Sequence, residues 1–118
     1  MRKLLLMFVV LAASLLVVSF AIMSFASNDF ETLTINGTAQ GFTASKITTT
    51  SGNMHKALCT LEGAQIRYRT DGTAPTGTVG HILDISGTLS LNGYGDILNF
   101  SAISTTATSG TLRCTYWK

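Results

Sequence analysis

The sequence predicts an all-β fold: a small antiparallel β-sandwich, jelly-roll or immunoglobulin-like, preceded by an N-terminal hydrophobic helix. Three observations carry that expectation. Gln65-Ile66-Arg67-Tyr68-Arg69-Thr70 alternates two faces and stops on Asp71-Gly72, where glycine supplies the positive φ of a tight turn. Similar short alternating runs recur along the chain at roughly ten-residue spacings, the rhythm of a sandwich or small barrel. No segment after residue 27 keeps a helical period.

The chain divides into residues 1–26, a signal peptide or signal anchor, and residues 27–118, the β domain. Arg2-Lys3 precedes the apolar run Leu4 through Met23, broken only by Ser14 and Ser19. At 1.5 Å per residue the run reaches about 30 Å, the thickness of a bilayer core. Ser24 and Ala26 stand where a signal peptidase needs small residues, so cleavage before Ser27 and retention as an anchor are both open. Basic residues lie ahead of the run, so the rest of the chain is expected on the non-cytoplasmic side in either case. A buried core helix is excluded, because so small a β domain cannot cover a helix apolar all round.

Taken in order, Thr32–Ile35 alternates and closes on Asn36-Gly37, a hairpin signal, with Thr38–Phe42 as its returning strand. Ala44–Thr48 reads as a weak strand and Thr49–Asn53 as a loop. Lys56–Leu61 is the next strand and leads through Glu62-Gly63 into the strand ending at Asp71-Gly72, around which the later strands are expected to pack. Thr73–Thr78 is a loop with the only proline, Pro75. Val79–Ile85 is extended, Ser86-Gly87 turns, Thr88–Leu91 is a strand, and Asn92–Gly95 is a glycine-rich turn. Asp96–Ile103 reads as a strand with Leu98, Phe100 and Ala102 on one face and Ile97 and Ile103 on the other. After the polar loop Thr105–Gly110, Thr111–Tyr116 closes the chain with Leu112, Cys114 and Tyr116 inward and Arg113 outward.

Ala57-Leu58-Cys59-Thr60-Leu61-Glu62, Ile66 through Thr76, Val79-Gly80-His81, Asn99 through Ile103 and Thr108 through Leu112 together resemble a family of small β proteins. That family is encoded in tailed-phage and environmental viral genomes. The resemblance runs from about Gly41 to Tyr116. It implies a β fold and a virion structural or accessory role, and it implies no catalytic residues. The chain departs from the family in carrying Ser101 and Ser104 where arginines are usual, and in its export segment.

Charge excludes one large class of function. The eight basic and six acidic residues give a net charge of +2, and Arg2 and Lys3 supply that surplus. The β domain is therefore neutral and lacks the electrostatic footprint of a nucleic-acid binder. Cys59 and Cys114 are the only cysteines. In an oxidising compartment they are expected to form a disulfide contributing about 4 kcal/mol; two separately buried thiols remain the alternative. Two cysteines so far apart, with no clustered histidine, lack zinc-ligand spacing, and no cofactor is expected.

Arg67, Arg69 and Arg113 form a candidate binding strip for a carboxylate, a sugar or a partner chain, set against solvated arginines paired with Glu62, Asp71 or Asp84. Tyr94 and Trp117 are candidate exposed aromatics for stacking on carbohydrate. His81, with Asp71 and Asp84 near in sequence, has no nucleophile paired to a base. These observations point to an exported or membrane-tethered structural or interaction module, not an enzyme, with virion assembly and self-association as its context. A secreted or periplasmic carbohydrate-binding module is the alternative.

Overall fold

The computed structural model describes residues 29–118; the expected signal segment, residues 1–26, lies outside them. Nine strands follow in order: β1 (Asp29–Ile35), β2 (Thr48–Thr49), β3 (Gly52–Asn53), β4 (Lys56–Glu62), β5 (Ile66–Arg69), β6 (His81–Leu83), β7 (Thr88–Asn92), β8 (Ser101–Ser104) and β9 (Gly110–Trp117). Two helical turns interrupt them, α1 (Ala44–Ile47) and α2 (Tyr94–Leu98). The fold is mostly β, and every strand pair is antiparallel.

A four-stranded sheet has the order β1-β9-β4-β7, and a three-stranded sheet has the order β6-β5-β8. The last strand is therefore inserted between the first and the fourth. Alternation in β4 and β9 fixes which face is inward: Ala57, Cys59 and Leu61 are fully buried, as are Leu112, Cys114 and Tyr116. Ile66 and Ala102 bring the three-stranded sheet into the same core. A one-residue slip in either long strand would turn this whole apolar set to solvent. The four-stranded sheet is thus organised by the β4–β9 pair, whereas the strand expected to organise the chain, β5, is the middle of the smaller sheet.

Several local expectations are corrected. Asn36-Gly37 does not close a hairpin. β1 pairs along its whole length with β9, and the expected returning segment makes only one bridge, Gln40 with Ala102 of β8. The expected strand at Ala44–Thr48 is the helical turn α1 up to Ile47, and the expected loop at 49–53 carries three of the four residues of the β2–β3 ribbon. The largest difference is Asp96–Ile103, where α2 ends at Leu98 and only Ser101–Ser104 is strand. Ile97 is consequently buried and Leu98 exposed, the reverse of a strand placing Leu98 beside Phe100.

The irregular segments seal one end of the core. Ile47 of α1, Met54 and Ile97 of α2 are each at most 3% exposed. Phe42 stacks on Phe100 with ring centres 4.1 Å apart and meets the edge of Tyr116. Gly41 permits this crossing, since a Cβ there would lie 2.7 Å from the Phe100 carbonyl oxygen.

Candidate functional site

Register alone brings the two cysteines together. Cys59 of β4 stands directly opposite Cys114 of β9, their Cα atoms are 4.1 Å apart, and they form a disulfide. Both residues are fully buried. The alternative of two separate thiols is therefore set aside. The bridge lies on the inner face of the central strand pair, where it is a structural staple shielded from solvent reductants.

The three arginines do not form one strip. Arg67 and Arg69 lie on β5 and Arg113 on β9, in different sheets. Each is engaged locally. Arg67 donates from Nε to the Gly77 carbonyl and from a terminal nitrogen to the Gly80 carbonyl, at 3.1 and 2.9 Å, pinning the loop before β6. Arg69 grips both carboxylate oxygens of Asp71. Arg113 donates to Glu62 at 3.1 Å on the outer face of the larger sheet.

The Arg69 guanidinium, helped by the Thr73 backbone N–H, holds the Asp71 carboxyl down to about 2. The stabilising contribution of this exposed pair is thus present above the ordinary carboxylate range. It is lost as the pH falls through that lowered value.

Arg69, Thr70, Asp71, Val79, Gly80 and His81 line an open cleft of about 350 Å³. Asp71 is committed to Arg69 and Thr73, and Asp84 accepts from Gln65. Among the described residues no hydrogen bond links His81 to either aspartate. His81 instead lies beside Tyr68, with ring centres 5.4 Å apart. No group of three or more metal-ligating side chains occurs among the described residues.

Tyr94 and Trp117 are brought to the same end of the molecule, on either side of His55. The His55 N–H donates to the Trp117 carbonyl and the His55 carbonyl accepts from Gly93, immediately before Tyr94. The Tyr94 hydroxyl is bonded to Thr48 at 2.9 Å, and its ring meets the edge of His55. The Lys56 ammonium stands over the Trp117 indole, 5.7 Å from its centre. Both aromatics are half-buried.

Sequence reasoning passed over a sheet edge. β7 is the outer strand of the larger sheet. Beyond its two ends, Leu61 N–H bonds to the Gly87 carbonyl and Gly93 N–H to the His55 carbonyl. Positions 87, 89, 91 and 93 therefore face β4, and antiparallel alternation turns the backbone groups of Thr88, Ser90 and Asn92 to the open side. No described residue hydrogen-bonds to those groups.

The other edges are guarded in other ways, β1 by its charged Asp29 and Glu31. Gln40 donates to Thr34 of β1 and exchanges backbone bonds with Ala102 of β8, and β6 is only three residues long. Thr88-Leu89-Ser90-Leu91-Asn92 contains no charge and no proline, so it lacks the usual guards against pairing. Register continues this edge across the outer face as the row Phe30–Thr115–Leu58–Ser90, in which Phe30 and Leu58 are apolar. Phe30 is 52% and Leu58 40% exposed.

No family model, curated protein or solved structure matches this chain.

Proposed function

We propose that this chain is a non-enzymatic structural and interaction module, exported or membrane-tethered, that works by assembly through its sheet edges. On this reading the two antiparallel sheets form a small sandwich of the jelly-roll or immunoglobulin-like type. The role is of the kind that resemblance to phage virion decoration and assembly proteins implies. The observation that carries the proposal is the open, uncharged edge of β7. Two copies placed antiparallel about Ser90 would set Thr88 opposite Asn92 and bring no like charges together. The buried Cys59–Cys114 disulfide is consistent with an oxidising, extracytoplasmic setting.

The carbohydrate reading has less support, because Lys56 occupies the Trp117 face and Thr48 takes the Tyr94 hydroxyl.

Sedimentation velocity tests the proposal. The exported protein is expected to self-associate, and Ser90→Lys to be monomeric with an unchanged melting curve. The lysine would place two charges at the dyad while its side chain remains on the solvent face. A wild-type monomer at every concentration would refute assembly through this edge. So would a Ser90→Lys variant that associates as well as wild type.

A further inference from the structure

We propose that, in a single unpaired copy, the end of the domain at which β1 begins docks on a membrane interface, with Trp117 seated among the lipid headgroups; this rests on the membrane-tethered form of the function proposed above, and pairing about Ser90 would point the ends of two copies in opposite directions. Register gathers that end from four strands. Asp29 lies opposite Tyr116, and Trp117 opposite Lys56, which lies opposite Asn92. The start of β1, the end of β9, the start of β4 and the end of β7 therefore coincide. The next row inward holds the exposed Phe30 and Leu58. α2 leaves the end of β7 and exposes Leu98 at 54%.

The side chains collected there are those an interface selects. Tryptophan, tyrosine and lysine concentrate at the boundary between hydrocarbon and water, where an amphipathic ring or a snorkelling amine satisfies both phases. Trp117 and Lys56 already form such a pair, with the amine over the indole. Lys46 and Lys118 flank it, bonded to Asp29 and Ser51 respectively.

Chain length makes this end the one a tether would hold closest. Only residues 24–28 separate the apolar run at 4–23 from β1, and fully extended they span at most about 18 Å. The opposite end of the larger sheet presents Glu62 and the Ser86-Gly87 turn and offers no aromatic residue among the described residues.

Trp117 is the only tryptophan, so its emission reports this surface without labelling. The full chain would be reconstituted in phosphatidylcholine vesicles, with or without acyl chains brominated near the headgroup, and its intact mass recorded from the same vesicles. Docking predicts loss of most Trp117 emission in brominated vesicles, and partial recovery in Phe30→Ser and Leu98→Ser, whose side chains lie outside the core. Full-length mass with unquenched emission would overturn docking and leave the tether standing. Quenching that neither substitution relieves would overturn it as well. A mass corresponding to residues 27–118 would remove the tether. The mature protein added to the same vesicles then decides the docking alone: quenching supports it and unchanged emission overturns it.

Discussion

Replacing Cys59 and Cys114 together by alanine is expected to lower the unfolding free energy by about 4 kcal/mol. The bridge spans a sequence separation of 55, and its main effect in the chain-entropy view is to restrict the unfolded ensemble. For a domain of this size each kcal/mol moves the melting temperature by about 4–8 °C, so a loss on the order of 20 °C is expected. Urea melts of wild type and the double variant, both read by Trp117 fluorescence, measure it.

Burial adds a kinetic expectation. Neither sulfur-bearing residue is exposed, so a reductant added to folded protein should act at the rate of opening and leave the native signal intact at first. Coincident melts for wild type and variant would show that the bridge does not constrain the unfolded chain.

Tyr116→Phe is expected to cost about 2 kcal/mol at neutral pH. The Tyr116 hydroxyl donates to Glu31 Oε1, which also accepts from the Thr43 N–H at 3.2 Å. Glu31 is 8% exposed and Tyr116 fully buried. Removing the hydroxyl therefore leaves a buried carboxyl with one donor fewer, and little water can replace it.

The same contact sets an alkaline limit. Burial, and then the hydrogen bond to Glu31, push the Tyr116 phenol far above its ordinary value. Its proton is held more tightly in the folded state than in the unfolded one. The associated stability is complete below about pH 10, where unfolded tyrosine titrates, and falls by about 1.4 kcal/mol per pH unit above it. Tyr116→Phe should be less stable at pH 7 and lose stability less steeply above pH 10. Urea midpoints across that range test both signs; parallel pH profiles would show that Tyr116 does not supply the alkaline slope.

The succession of short strands was readable because burial on one face writes a period of two into the sequence. β4 and β9 show this most plainly: Ala57, Cys59 and Leu61 alternate with exposed residues, as do Leu112, Cys114 and Tyr116. Arg113 was correctly placed outward for the same reason. The helical turns were not readable. α1 and α2 each bury one residue, Ile47 and Ile97, and one buried position expresses neither a helical nor a strand period. In Asp96–Ile103 the adjacent residues Ile97, Leu98 and Phe100 therefore looked like a doubly covered strand.

By itself the sequence determined that residues 27–118 carry β-type alternation, which cysteines were available to bridge, and which faces of β4 and β9 turn inward. These follow from side-chain chemistry repeated over a few neighbouring residues. Strand partnership was decided only by the tertiary structure. Asn36-Gly37 offered a hairpin, yet β1 gains seven paired positions by joining β9, a long-range choice that no local turn signal reports. Strand partnership as a whole set Cys59 opposite Cys114, separated Arg113 from Arg67 and Arg69, and gathered Trp117, Lys56 and Phe30 at one end. It also left β7 as an open edge, because an edge is defined by the absence of a neighbour, and a neighbour is fixed by packing rather than by adjacent residues.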